Sequence, residues 1–152
     1  MGDIHNWSSR TGLQNLKTII DGDTHLRDAM GDLLNLKLVD VESGTCAYEG
    51  RPQKEHLNPR DYVHGGWVMS ILDAAAVMSV VTVLPEGQLC ATSTFEVKFV
   101  RPLQHGTMCR AEGEMVSIGK NLAHCKARLI DTDTGKLIAF CTCSTSLYNV
   151  ED

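Results

Sequence analysis

His64-Gly65-Gly66-Trp67-Val68-Met69-Ser70-Ile71-Leu72-Asp73-Ala74-Ala75-Ala76-Val77-Met78 is the stretch that decides the fold. Two glycines open an apolar helix that carries one carboxylate, Asp73, in its middle. Asp is a poor helix former, and an unpaired carboxylate among apolar neighbours is expensive to bury, so Asp73 calls for a partner, a water or a chemical role. The glycines let a ligand approach the backbone closely. The first N–H groups of a helix lack intrahelical acceptors and lie at the positive end of its dipole. A carbonyl oxygen that gains negative charge would be stabilised there. The stretch thus predicts an oxyanion-type donor and, about two turns on, a carboxylate.

Outward from this helix, expected to run from Gly65 to Val83, the pattern changes to strands. Apolar residues cover most of its circumference, which predicts a helix wrapped by other structure. Upstream, Leu13, Leu16, Ile19 and Ile20 predict a short amphipathic helix over Gly12–Ile20, and Leu26, Met30, Leu33 and Leu34 a further turn broken by Gly31. Leu36 to Tyr48 reads as a strand with a bulge or turn at Gly44, and Gln53 to Leu57 as a short second strand. Downstream, Phe95, Val97 and Phe99, then Cys109 to Met115 and Ala123 to Leu129, alternate apolar with polar residues, and Leu137 to Tyr148 reads as the last strand. That period of two predicts four strands in a meander, mostly antiparallel, with one buried face. One helix against one sheet is an α+β architecture.

The chain has 152 residues and a net charge of −5, which suggests one domain and argues against nonspecific nucleic-acid binding. Six cysteines, a polar N-terminus and no bilayer-length apolar run predict free thiols in a reducing, cytoplasmic compartment and no membrane insertion. Cys141-Thr142-Cys143 lacks the spacing of a metal site, so no metal is expected.

Asn58, six residues before His64-Gly65-Gly66, then Asp73 nine after the histidine, and the Phe99-Val100-Arg101-Pro102 strand end together resemble the hotdog-fold acyl-CoA thioesterases of the PaaI-like, phenylacetate-degradation type. The resemblance covers roughly residues 34–148. It implies a hotdog domain over 36–150 behind a helical extension over 1–35, with a curved sheet wrapped around the central helix. It implies subunits paired edge to edge into a dimer with shared sites, and two dimers forming a homotetramer. Gly65 would polarise the thioester carbonyl with its N–H, and Asp73 of the opposite subunit would act as general base or nucleophile. Asn58 would position the attacking water, Thr92 would complete the site, and His64 would either hold the Asn58 loop and helix start or take part in the chemistry. Gly66, Phe99, Arg101 and the turn Gly119-Lys120-Asn121 would contact the substrate. Coenzyme A would be part of that substrate, with no further cofactor. The family often has Gly where Asp61 stands, three residues after the Asn. This departure bears on the loop's backbone and adds a charge that would raise the Asp73 pKa or disfavour an anionic acyl group.

Thioester hydrolysis needs a polarised carbonyl, an activated water or nucleophile, and a grip on the leaving thiol. A carboxylate at its ordinary pKa is a weak base at pH 7, and desolvation makes it a better one. Two alternatives stand beside the thioesterase: a hotdog dehydratase or hydratase using His64 with Asp61, and a non-catalytic acyl-CoA-binding protein with an altered Asp61 loop.

Overall fold

The computed structural model describes residues 7–23 and 28–150 of the chain. Thr11 opens α1 (Gly12–Ile20): its hydroxyl accepts from Gln14 N, and the Gln14 side chain accepts from Thr11 N, so two amides without helical partners are satisfied at once. Leu16 is fully buried, and Gly12 donates its N–H to Leu84 O. The expected Gly12–Ile20 helix is present and docked beside the end of the central helix. A second short helix, α2 (Ala29–Leu33), starts at Asp28, whose carboxylate accepts from Gly31 N at 2.9 Å. Gly31 does not break this turn. It lies inside it, where an added Cβ would come within 2.6 Å of the Asp28 carboxylate. Met30 and Leu33 are exposed, and Leu26 lies outside the described residues.

The single run expected from Leu36 to Tyr48 is a hairpin of β1 (Leu36–Glu42) and β2 (Thr45–Gly50). Gly44 turns it with φ +86°, a backbone state that residues with a Cβ adopt only with strain. The strand expected over Gln53–Leu57 is a 3-10 turn, Lys54–His56. Gln53 N donates to His56 Nδ1 at 2.9 Å, and this local bond outcompetes pairing. Only Leu57 makes a bridge, to Val63. The central helix, α3 (Gly65–Val81), ends two residues earlier than expected. Four strands follow: β3 (Gln88–Phe99), β4 (Cys109–Ile118), β5 (Leu122–Asp131) and β6 (Leu137–Asn149).

The six strands make one sheet in the order β1-β2-β4-β5-β6-β3, every pairing antiparallel. The expected meander holds for β4, β5 and β6. β3 instead crosses to the far edge and pairs with β6 alone. Trp67, Ile71, Leu72, Ala75, Ala76 and Val80 bury α3 against the concave side. The approach is close: a Cβ on Gly113 of β4 would lie 1.9 Å from Ala75 O. This is the α+β hotdog architecture expected from the resemblance. The helix is not wrapped all round, however. Met69 is exposed and Ser70, Asp73, Ala74 and Met78 are half-buried, so one stripe of α3 stays open beside β3. The face of the sheet turned away from α3 carries charges paired across strands, Arg110 with Glu49 at 3.1 Å and Arg128 with Glu112 at 2.7 Å. All six cysteines are free thiols, and no helix among the described residues is long and apolar enough to cross a membrane.

Candidate active site

The start of α3 is set by His64, which is extended (φ −60°, ψ 137°) and caps the helix by accepting from Gly66 N on its Nδ1 at 2.9 Å. An Nδ1 that accepts leaves the ring proton on Nε2. The His64 O accepts from Trp67 N. Gly65 is therefore left with an N–H that meets no acceptor among the described residues, whereas the Gly66 amide is committed. Phe99 covers Gly65, with its ring 3.3 Å from where a Cβ would stand.

The loop before the helix is organised by Asn58. Its side-chain oxygen accepts from Arg60 N at 2.8 Å and more weakly from Tyr62 N at 3.4 Å, while its own N–H donates to Tyr62 O at 2.8 Å. Such Asx bonding fixes a tight turn. Oδ1 is thus committed to the loop, and the Nδ2 amide is the part of Asn58 left for a ligand. Asp61 has φ +62°, the left-handed state in which short polar side chains are tolerated. The loop thus keeps a glycine-like backbone at the position where the family often has Gly. Asn58, Arg60, Tyr62, Val63, Gly65 and Val68 line a hollow of about 700 Å3, closed on its other side by Phe99, Pro102 and Leu103.

Asp73 lies elsewhere. It is half-buried on the open stripe of α3, and Thr92 Oγ1 of β3 donates to its Oδ1 at 3.0 Å. Burial raises its pKa above the ordinary carboxylate value, and the Thr92 bond opposes the rise without cancelling it. Asp61 is not among the groups acting on it within the chain. Gly65 and Asp73 are eight positions apart on α3, a rise of roughly 12 Å. One chain therefore gathers Asn58, His64, Gly65 and Phe99 at the start of α3, and Asp73 with Thr92 at its middle. It does not bring the two groups onto one carbonyl.

The remaining residues singled out from the sequence divide between these two groups. Arg101 follows Phe99 and anchors one guanidinium nitrogen to Leu137 O at 2.6 Å. Gly119, Lys120 and Asn121 form the exposed β4–β5 turn, closed by Gly119 N to Leu122 O at 2.8 Å. Asn121 O accepts from Leu147 N, and Leu147 pairs with Cys90 of β3, which puts this turn on the Asp73 side. Two features escaped the sequence. Arg60 and Tyr62 line the hollow, which loop composition alone does not reveal. Thr145, a fully buried hydroxyl with no nitrogen or oxygen partner among the described residues, sits in the buried register of β6. Its signal was a polar residue continuing the inward alternation of Cys141 and Cys143. A hollow of about 830 Å3 lies around Arg110, Glu112, Lys126 and Arg128 on the opposite face of the sheet, away from both groups.

Comparison with known proteins agrees with this architecture. The model of the thioesterase superfamily matches residues 61–138, a span that holds Gly65, Asp73 and Thr92. Human acyl-coenzyme A thioesterase 13 is 25% identical over 126 residues, 83% of this chain and 89% of that protein. An Archaeoglobus fulgidus protein is 25% identical over 96 residues, and the match spans 60% of its length. The E. coli PaaI protein from the phenylacetic acid degradation operon superposes with a TM-score of 0.78 at 18% identity, covering 93% of this chain and 96% of that one.

Proposed function

The chain belongs to the thioesterase superfamily, and from that premise we propose that it hydrolyses an acyl-CoA thioester to the free acid and coenzyme A. The observation that carries this reading is a pair of groups on one helix: an N–H without an acceptor at Gly65, and a half-buried carboxylate with a raised pKa at Asp73. A donor that polarises the carbonyl and a base that activates water are two of the three parts that hydrolysis requires.

The roughly 12 Å between them calls for two copies. β3 is an edge strand of 12 residues, mostly exposed, that pairs only on its β6 side. In our reading, two chains pair along β3, so that Gly65 of one and Asp73 of the other face the same thioester, and two such dimers form a tetramer. The thioester oxygen accepts from Gly65 N–H. Asp73 acts as general base and takes a proton from water, and the water oxygen bonds to the carbonyl carbon. As the C–S bond breaks, the proton passes from Asp73 to the leaving sulfur. Asn58 holds the water with its Nδ2 amide, Thr92 orients Asp73, and His64 keeps the Gly65 amide in place as the helix cap. Gly66 and Phe99 shape the approach to Gly65, while Arg101 and the Gly119-Lys120-Asn121 turn face the phosphates of coenzyme A. No cofactor is needed beyond the substrate itself. The apolar walls of the hollow beside Gly65 suit an aromatic acyl group. The six free thiols support a cytoplasmic location.

The test is thiol release from a panel of aromatic and aliphatic acyl-CoA esters by wild type and Asp73→Ala, with the readout corrected for the protein's own cysteines. Release that disappears in a folded variant is the expected result. Unchanged turnover in Asp73→Ala, or no release from any ester by wild type, would overturn the proposal.

A further inference from the structure

We propose that Thr145 is a positioning residue for Asp73, anchoring a buried water that bonds the carboxylate oxygen Thr92 does not reach. The inference rests on the reading of Asp73 as the base and adds a layer behind it.

Thr145 lies on β6 directly opposite Thr92 of β3. Facing residues of an antiparallel pair hold their Cβ atoms about 5 Å apart on one side of the sheet. That side is the inner one, since Cys141, Cys143, Thr145 and Leu147 are buried in alternation. Thr145 is 0% exposed, and its hydroxyl has no nitrogen or oxygen partner among the described residues. Its one hydrogen-bonding neighbour there is the Cys90 thiol, and a thiol is only a weak donor and acceptor. A buried hydroxyl without a partner is costly, and a valine of the same shape would avoid that cost. Such an orphan needs a physical explanation, and an ordered water is the simplest one.

A second polar atom nearby is also short of a partner. Thr92 donates to Asp73 Oδ1, and no donor among the described residues meets the other carboxylate oxygen. Thr92, which holds the Asp73 carboxylate, faces Thr145 across the β3–β6 pair on the inner side of the sheet, so carboxylate and buried hydroxyl share one neighbourhood. One water bonding both would give the Thr145 hydroxyl an oxygen partner and meet the second carboxylate oxygen. It would also hold the carboxylate from two sides, Thr92 on one oxygen and the water on the other. A base fixed in this way meets its proton without reorganising.

The experiment compares Thr145→Val, Thr145→Ser and Asp73→Asn in kcat, KM and thermal midpoint, alongside a high-resolution crystal structure of the wild type. Thr145→Val should lower kcat about tenfold, as loss of one hydrogen bond of ordinary strength would, with KM unchanged and a thermal midpoint no lower than wild type. Thr145→Ser, which keeps the hydroxyl, should recover most of that kcat. The crystal structure should hold a water within hydrogen-bond distance of both Thr145 Oγ1 and Asp73. A kcat for Thr145→Val within twofold of wild type, or the absence of that water, would overturn the inference. Asp73→Asn separates the two claims: if it abolishes turnover while Thr145→Val does not, only the positioning role fails. If it leaves turnover intact, the hydrolytic reading fails, and the crystallographic water still decides whether Thr145 and Asp73 share one.

Discussion

Thr92 Oγ1 donates to Asp73 Oδ1 at 3.0 Å, across the gap between the edge strand β3 and the open stripe of α3. This bond is the one interaction that lowers the Asp73 pKa, against burial that raises it more. Hydrolysis by a general base requires the ionised carboxylate, so the rate falls as pH drops through the Asp73 pKa. Because that pKa is raised, the acid limb of kcat/KM should lie above the ordinary carboxylate range. Thr92→Val removes the opposing bond and should move the limb to still higher pH. A pH–rate profile checks this, and a limb that stays in place or moves to lower pH counts against the pairing of these two residues in catalysis.

The same carboxylate makes a prediction about stability. A folded-state pKa above the unfolded one means that the native chain binds the proton more tightly. Between the two pKa values, stability therefore falls as pH rises. The destabilisation is fully present above the folded pKa and is relieved as pH falls through it. Asp73→Asn, which is neutral at every pH, should raise the thermal midpoint at pH 8, with the gain shrinking on acidification. Melting curves of both proteins from pH 4 to pH 8 measure it. A variant less stable than wild type at pH 8 would mean that burial does not dominate the energetics of Asp73.

Gly65 allows a substitution that removes a hydrogen-bond donor and little else. It occupies the first position of α3, where proline is well tolerated because its missing N–H would be unpaired anyway. The residue before a proline must be extended, and His64 already is, at φ −60° and ψ 137°. The Phe99 ring, 3.3 Å from the position of a Cβ, has to shift, and its 55% exposure leaves it room. Gly65→Pro should retain the fold by circular dichroism while lowering kcat by about 100-fold or more, the usual effect of losing one oxyanion donor. A variant that folds and turns over at the wild-type rate would assign the carbonyl to another donor.

Much of the fold was legible in the sequence because periodicity reports burial. The alternation in Cys109–Met115 and Ala123–Leu129 gave β4 and β5, and the apolar run after His64 gave α3. What failed was tertiary. Nothing local in Phe95-Glu96-Val97 says that β3 leaves the meander and pairs with β6, since its neighbours are chosen by how the chain crosses α3. The strand expected over Gln53–Leu57 has no β-branched residue and no Phe, Tyr or Trp to favour it, and the bond from Gln53 N to His56 Nδ1 closes it into a turn. The candidate site was legible as a set of residues and not as a place. Eight positions along a helix put Gly65 and Asp73 roughly 12 Å apart, but that spacing does not say which side chains gather around each. Thr145 escaped because an orphan hydroxyl is defined by what fails to surround it.

Asp61 offers the clearest separation of backbone shape from side-chain charge. Its φ of +62° lies in the left-handed region, which costs most side chains roughly 1–2 kcal/mol, and Asp less. The loop tolerates it because Asn58 pins both flanks: Oδ1 accepts from Arg60 N, and the backbone oxygen accepts from Asp61 N at 3.0 Å. Asp61→Val, a β-branched residue in that state, should destabilise the chain by about 1–2 kcal/mol and distort the loop that holds Asn58, so that kcat falls as well. Asp61→Gly should leave stability within about 1 kcal/mol of wild type, since glycine takes the left-handed state freely but loses more entropy on folding. If its charge, and not its backbone, governed the site, Asp61→Asn would change turnover as much as Asp61→Val does. Chemical denaturation and steady-state kinetics on the three variants distinguish these outcomes: activity that follows stability through Val, Asn and Gly places the role in the backbone, and activity that follows charge alone would overturn that assignment.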